Sequence, residues 1–413
     1  MDIRLTLKFK APVNHDALLA SAGEALRLFP EYSVQTVLKD GRLFYEENHN
    51  PVALLSSKAR YDFATSDMNG YLFCFQADPS KEREIVFSVY HGLSDWNGLS
   101  SFLKTIICRY AVHVKGLPDD SFRGVIRPQA PDRSEWETEA NLNPYEFHAK
   151  QDTKPSYKPE ISGEVFEVPE KNYSFDFPAS RHCRITLSTS QFIKSAKSHS
   201  TSFVPYLLCL ASNAVREACD TDKNILMAFP VDLRNIFSAE SIVNFSDSVL
   251  LPSSMADHRL PIEDQCRHLR EMITLQKKPE NYAGMLYQKV KTLKSFESAP
   301  EGIVSKSREL TSQTAEIAKA ISLGITYPGI MDMPEGADDL LENIIMEAPF
   351  GVSFLLITTY HDEMSITSVQ RYDGDKIVRS LCRKLGEAGL EYKVTDNGLI
   401  EHNVMNLERL KRV

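Results

Sequence analysis

The segment that determines the fold reads Glu84-Ile-Val-Phe-Ser-Val-Tyr90-His91-Gly-Leu-Ser-Asp95-Trp-Asn-Gly98-Leu. Its first seven residues are rich in apolar and β-branched types and predict a buried strand that ends at His91. After Gly98, apolar residues recur at helical spacing and predict an amphipathic helix that runs to about His113. A strand and a helix joined by a short loop commonly hold reactive side chains in place. We therefore expect chemistry at this loop.

The His-x3-Asp spacing alone carries little information, because a chain with 11 His is expected to contain it about 0.7 times by chance. A Gly three residues after the Asp lowers that expectation to roughly 0.03. His148-Ala-Lys-Gln-Asp152 has the same spacing, but it lies in a polar stretch with no preceding strand and no such Gly. We therefore take His91 as the candidate functional histidine and expect the replacement of His148 to have no effect.

The residues Val89-Tyr-His91-Gly-Leu-Ser-Asp95-Trp-Asn-Gly98 resemble the His-x3-Asp-Gly signature, or HxxxD motif, of the chloramphenicol-acetyltransferase-like superfamily. This superfamily includes plant BAHD acyltransferases, condensation domains of peptide synthetases and bacterial alcohol acetyltransferase-like proteins. Further along, Val231-Asp-Leu-Arg234 resembles the family's Val-Asp-x-Arg segment, and Asn244-Phe245 resembles its Asn-Phe element. The chain departs from the pattern at Tyr90, where many members have His, and at Trp96, where many have Gly.

The resemblance implies a role for each of these positions. His91 is expected to be the catalytic general base, which imidazole chemistry suits because its pKa lies near neutral pH. Asp95 is expected to turn away from the substrate and to pair with Arg234, so that the pair braces the loop. Gly98 and Asn244 are expected to be structural residues at the site.

Other interpretations of the same residues stay open. A lone His at a strand end is often only hydrogen-bonded in place, and Asp95 can cap the helix that follows it. Tyr90 and Trp96 are candidates for the channel lining, although burial against the following helix suits Trp96 better. Ser322, Thr326 and Ser353 are equal candidates to stabilise an oxyanion.

The fold class implied by the resemblance is α/β (α+β), with two lobes that each contain a mixed sheet and flanking helices, and an active-site tunnel at their interface. We place the N-terminal lobe at residues 1–165 and the C-terminal lobe at 180–413. Between about 116 and 179 the apolar periodicity disappears and Pro recurs, which is typical of a linker that crosses between lobes. In the family a late segment joins the first lobe's sheet, but the sequence does not show which residues do so.

The implied activity is the transfer of an acyl group from an acyl-CoA thioester to an alcohol or amine. Two alternatives stay open: a condensation-type enzyme that takes its acyl group from the phosphopantetheine thioester of a carrier protein, and a non-catalytic binding member of the fold. No permanently bound cofactor and no metal are expected. The expected partners are a small-molecule donor and acceptor, with an acyl carrier protein left open, and a monomer is expected.

Composition narrows the functional classes further. The formal charge of −9 and the lack of a basic cluster argue against nucleic acid as a partner. The seven Cys contain no Cys-x2-Cys pair, which indicates a reduced, cytoplasmic protein without a zinc site. The N-terminus lacks the apolar core of a signal peptide, and no apolar run approaches the ~18 residues that a membrane span needs.

Periodicity and turn residues predict the remaining elements. Strands are predicted at 3–9, 33–38, 42–45, 71–76, 84–90, 184–187, 323–327, 341–346, 352–360 and 364–371. Helices are predicted from Asn14 to before Pro30, from about 188 to 196, at 203–218, at 261–277, over much of 282–321 and at 376–388, followed by a mixed tail.

Overall fold

The structure is a computed structural model. It describes residues 2–57, 61–127, 138–149, 157–168, 179–298, 320–348, 353–370 and 374–401, together with isolated positions outside these ranges. These residues form three β-sheets with flanking α-helices. No helix in the described ranges is long and apolar enough to span a lipid bilayer.

The strands are numbered in chain order. They are β1 (Asp2–Phe9), β2 (Val34–Lys39), β3 (Arg42–Glu47), β4 (Leu54–Ser56), β5 (Phe73–Ala77), β6 (Glu84–Tyr90), β7 (Ala179–Ser188), β8 (Ile225–Asp232), β9 (Ser246–Ser253), β10 (Leu323–Thr326), β11 (Leu341–Glu347), β12 (Phe354–Tyr360), β13 (Glu363–Gln370), β14 (Tyr392–Glu401) and β15 (Lys411–Arg412).

The α-helices in the described residues are α1 (His15–Leu28), α2 (Trp96–Lys115), α3 (Glu139–Leu142), α4 (Pro144–His148), α5 (Thr189–Ser198), α6 (Phe203–Cys219), α7 (Arg234–Phe237), α8 (Met255–His258), α9 (Ile262–Gln276), α10 (Pro279–Ser298) and α11 (Lys376–Glu387).

The first lobe is built on a five-stranded sheet of order β11-β1-β6-β5-β4. Strand β1 lies between β11 and β6 and pairs antiparallel with both. Helices α1 and α2 bury their apolar stripes with the odd-numbered residues of β1 in one hydrophobic core. Because β11 comes from residues 341–347, the late segment that joins the first sheet is now identified.

The second lobe is built on a seven-stranded sheet of order β14-β7-β13-β12-β10-β8-β9. Most neighbours are antiparallel, but β10 is parallel to both β8 and β12, so the sheet is mixed. Its core is a second hydrophobic cluster that includes the apolar faces of α6 and α11. The fold class of two lobes with mixed sheets and flanking helices is thus confirmed.

A third, small sheet has the order β15-β2-β3 and contains the predicted hairpin. Asp40 and Gly41 form its turn, both with positive φ, the geometry that favours two-residue hairpins. Val34 of the hairpin packs against the core of the first lobe, and Val37 is buried. Strand β3, by contrast, is exposed along its whole length.

Most predicted elements are confirmed, and the differences have physical causes. Helix α2 begins at Trp96 because Asp95 caps it. Strand β9 was not predicted, because its Ser residues and Pro252 hide the alternation of apolar and polar residues. The tail that was predicted as mixed contains the edge strand β14, whose residues are mostly exposed. The end of the predicted helix over 282–321 falls largely outside the described residues, and the division of the chain at 165–180 stays a prediction.

Candidate active site

The His91 loop directly follows β6, which pairs with β1 on one side and with β5 on the other. The imidazole Nδ1 lies 3.2 Å from the carbonyl oxygen of Ser94. A carbonyl oxygen can only accept a hydrogen bond, so Nδ1 must carry the proton. In the neutral ring this leaves Nε2 with a free lone pair, which is the state required of a base.

Burial lowers the pKa of His91 below its usual value of 6.5. Hydrogen bonds from the ring to backbone oxygens and the negative charge of Asp95 act in the opposite direction, but burial outweighs them. The ring is only partly buried, so it is not sealed within the lobe. At neutral pH the imidazole is therefore uncharged and can accept a proton.

The Asp95 carboxylate has two structural functions at once. It caps helix α2, where one oxygen accepts from the amide of Asn97 at 3.1 Å and from that of Gly98 at 3.4 Å. Its other oxygen accepts from the amide of Phe245 at 2.7 Å and from Arg234 Nη1 at 2.8 Å. With four donors around it, this carboxylate joins the His91 loop to the second lobe.

On the second-lobe side, Arg234 makes several hydrogen bonds at once. Its guanidinium donates to Asp95, to Asp232 at 2.9 Å, and to the carbonyl oxygens of Ser241 and Val243. The side chains of Arg234 and Asp95 are only 11% and 6% exposed, so the pair lies largely out of water. The two residues that the resemblance pairs across 139 positions are in direct contact in the structure.

Gly98 sits where α2 meets the backbone of the second lobe. A Cβ atom there would lie 2.0 Å from the carbonyl oxygen of Ile242 and 2.3 Å from Ser94 Oγ. The Ser94 hydroxyl donates to that same Ile242 carbonyl at 2.7 Å. Only Gly therefore permits this close approach of helix and loop.

Asn244 holds the His91 loop from the other lobe. Its amide Nδ2 donates to the carbonyl oxygen of His91 at 3.0 Å, and its Oδ1 accepts from Ser246 at 3.1 Å. The backbone of His91 is thus fixed from the second lobe while its ring is oriented by Ser94. Asn244 also lines the adjoining cavity.

A cavity of about 1410 Å³ borders the loop through Gly92 and Leu93. Residues of both lobes line it, including Leu26 of α1 and Val243 of the second lobe. Its lining also includes polar residues of the hairpin and the segment after it, from Tyr45 to Asn50. A space of this size can hold a large organic ligand.

Tyr90 and Trp96, the candidates for the channel lining, are not among the described residues that line this cavity. Both pack against the core of the first lobe, and the Tyr90 ring lies 5.9 Å from that of Phe63. The Tyr90 ring also occupies the space where a side chain at position 92 would lie, with Cε1 at 2.3 Å from a Cβ atom placed there. Packing therefore explains their positions.

The predicted linker contributes residues to the cavity and to the second lobe, which the sequence interpretation did not anticipate. Helix α4 packs on the second lobe, where the Tyr145 hydroxyl donates to the carbonyl oxygen of Ser246 at 2.5 Å and the ring lines the cavity. His148 stacks on Phe237 and Phe245 at 4.9 and 5.5 Å, so its replacement should reduce packing, contrary to the expectation of no effect. Aromatic residues clustered in an otherwise polar linker were the signal that could have indicated this.

Of the three hydroxyl candidates for an oxyanion donor, Ser322 is fully buried and already engaged. It donates to the carbonyl oxygen of Phe166 at 2.5 Å and accepts from the amide of Leu226 at 3.1 Å. Its position beside β8 is therefore structural. Neither Thr326 nor Ser353 lines the cavity among the described residues.

Solved structures with the same architecture cover nearly the whole chain. Polyketide synthase associated protein 5 from Mycobacterium tuberculosis is 15% identical and has a TM-score of 0.60, over 93% of this chain and 92% of that one. TRI101 of F. sporotrichioides, complexed with coenzyme A and T-2, is 12% identical with a TM-score of 0.56 over 95% of each chain. The condensation domain of the Monacolin K polyketide synthase MokA is 12% identical with a TM-score of 0.56, over 94% and 91%.

The chain has the fold of these solved structures, which agrees with the fold expected from its resemblance to the chloramphenicol-acetyltransferase-like superfamily. No family model and no curated protein sequence matches it. At these identities the likeness establishes the fold alone.

Proposed function

We propose that this protein is an acyltransferase that moves an acyl group from a thioester to an alcohol or amine, with His91 as general base. One observation carries the proposal: the imidazole has its Nδ1 bonded to the Ser94 carbonyl, its Nε2 unprotonated and its pKa lowered, and the next two residues of its loop, Gly92 and Leu93, line a large cavity between the lobes. Such a group is well suited to accept a proton at neutral pH.

In the reaction, Nε2 of His91 takes the proton of the acceptor O–H or N–H while the acceptor atom attacks the thioester carbonyl carbon. The carbonyl electrons move onto oxygen and form a tetrahedral oxyanion. When this intermediate collapses, the carbon–sulfur bond breaks and the imidazolium returns its proton to the leaving thiolate. The products are the ester or amide and the free thiol, and His91 is again neutral.

Asp95 and Arg234 act as positioning residues in this proposal. Both Asp95 oxygens are occupied by four donors and none of them belongs to His91, so the carboxylate does not take part in the proton transfer. It fixes the start of α2, and the same loop places the Ser94 carbonyl that orients the imidazole. Asn244 completes the support from the second lobe.

Acyl-CoA is the simplest donor, and the complex of the similar TRI101 with coenzyme A supports it. The likeness to a condensation domain leaves a second donor open, a phosphopantetheine thioester bound to a carrier protein. No permanently bound cofactor takes part in either case. Acceptor and donor are proposed to reach His91 through a tunnel between the lobes, from opposite faces.

A thiol-release assay with a panel of acyl-CoA donors and alcohol or amine acceptors tests this proposal. We expect acceptor-dependent release of thiol, and we expect His91→Ala to reduce it by ~10²–10⁴-fold, as is typical for loss of a general base. His15→Ala, at an exposed position, is the matched control and should retain full activity. Turnover of His91→Ala within a few-fold of the parent would reject the mechanism.

The same panel, offered as thioesters of an acyl carrier protein, separates the two donor classes. Release from acyl-CoA alone supports the simpler donor, and release only from the carrier protein supports the condensation-type alternative. No acyl transfer from either donor, by a folded protein, would support the non-catalytic member of the fold.

A further inference from the structure

Strand β3 forms an exposed edge of the small sheet among the described residues. All six of its residues are exposed, and Leu43, Phe44 and Tyr45 are large side chains that are 39, 45 and 56% exposed. Within the described part of the chain, β3 pairs only with β2. Exposed apolar edge strands are usually blunted by Pro, a bulge or inward charges because they invite pairing with another strand. Strand β3 has an unbroken register with β2 and contains no Pro.

The backbone groups available for pairing follow from the hairpin register. Lys39 and Arg42 flank the two-residue turn and therefore form a hydrogen-bonded pair with each other. Bonded and non-bonded pairs alternate along an antiparallel ladder, and the Asn48 amide donates to the Ser33 carbonyl at 2.9 Å, which fits this alternation. The N–H and C=O groups of Leu43 and Tyr45 consequently point to the free edge.

We propose that β3 pairs with β3 of a second copy of this chain, antiparallel and symmetric about Phe44. In this register, Phe44 lies opposite Phe44 of the partner subunit as a non-hydrogen-bonded pair, in which side chains are closest. Leu43 lies opposite Tyr45 of the partner subunit, and the two such pairs exchange backbone hydrogen bonds. Arg42 lies opposite Glu46 of the partner subunit, also twice.

The sequence of β3 singles out its own copy as the partner. The register that places an aromatic pair on the two-fold axis also places an opposite-charge pair on each side of it, and both kinds of pair stabilise neighbouring strands. A two-fold interface requires this self-complementarity. The other exposed edge strand, β14, lacks it, since its register with β7 shifts between Asp396 and Gly398. The proposed dimer differs from the expectation of a monomer, which stays untested, and it does not depend on the proposed activity.

The dimer would also adjoin the site. Tyr45, Glu46 and Glu47 also line the cavity that borders the His91 loop, so the proposed interface includes residues of the cavity wall. The interface would therefore hold the hairpin in place at the edge of the cavity.

The molecular mass is measured by sedimentation or light scattering over a concentration series. Exchanging the charges of Arg42 and Glu46 then tests the proposed strand pairing. The parent should reach twice its monomer mass of 46.7 kDa. Arg42→Glu or Glu46→Arg alone places like charges opposite each other twice and should weaken dimerisation roughly tenfold or more, whereas the double variant restores both pairs and should recover it. Lys393→Glu, on exposed β14, is the matched control and should leave the mass unchanged.

Cross-linking tests the two-fold axis itself. Under mild oxidation Phe44→Cys should form a covalent dimer, because each copy places that position directly opposite itself, while Leu399→Cys on exposed β14 should not. Three results would each overturn the proposal. The parent could stay monomeric at every concentration, the two Cys variants could cross-link equally, or the double charge variant could dimerise no better than the single ones.

Discussion

The pairing of Asp95 with Arg234 allows a quantitative test of how the lobes are joined. Removing one member of a buried ion pair typically costs about 3–5 kcal/mol, because the other charge is left unpaired. Here each partner keeps some compensation: without Arg234, Asp95 still accepts from three backbone amides, and without Asp95, Arg234 still donates to Asp232. We therefore expect Asp95→Asn and Arg234→Gln each to lower the free energy of unfolding by about 3 kcal/mol, the lower end of that range.

The double variant is the decisive measurement, made by urea unfolding at pH 7 alongside the thiol-release assay. Removing the second charge also removes the unpaired group, so the double variant should be more stable than the sum of the single losses predicts, by about 0.5–3 kcal/mol. Activity should fall together with stability in both single variants. Arg379→Gln, which breaks an exposed pair with Asp375, is the control and should cost no more than ~1 kcal/mol.

Two results would refute this reasoning. Strictly additive losses in the cycle would mean that the two side chains do not interact directly in solution. Loss of turnover in Asp95→Asn at unchanged stability, with a normal Arg234→Gln, would mean that Asp95 transfers a proton and is not a positioning residue.

Two further predictions follow from the geometry of the loop. Because burial lowers the pKa of His91, kcat/KM should stay level from neutral pH down to about 6.5 and fall only below that value, where the imidazole becomes protonated; an acid limb above pH 7 would contradict this assignment. Gly98→Ala should destabilise the protein by about 1–3 kcal/mol in urea unfolding, since its Cβ would overlap the Ile242 carbonyl. Gly23→Ala in α1, where a Cβ meets nothing within 4 Å, is the matched control and should be neutral or slightly stabilising.

The elements around His91 could be predicted from the sequence because they depend on local signals, whereas the two-lobed fold was expected only through the family resemblance. The strand before His91, the cap at Asp95 and the apolar stripe of α2 are each encoded within a few residues of one another. The Asp95–Arg234 contact was accessible only through the resemblance, since nothing in either segment specifies its distant partner.

Other features depend on long-range packing that leaves little trace in the sequence. Strand β14 lies on an edge, so it lacks the alternation of a half-buried strand. Helix α4 is only five residues long, and its place beside Phe245 is set by the aromatic contacts of Tyr145 and His148. The contribution of the hairpin to the cavity wall likewise follows from tertiary packing and not from the pattern of β2 and β3.

The crossing strand β11 has a consequence for how the protein is made. Arg4 on β1 lies opposite Glu347, so one side of β1 stays unpaired until residues 341–347 have been synthesised. At roughly 5–20 residues per second, the ~250 residues between β6 and β11 take roughly 10–50 s to emerge from the ribosome. During that interval the first lobe has an open sheet edge that another nascent chain could join. The first lobe can therefore complete its sheet only after strands β7 to β10 of the second lobe have been synthesised.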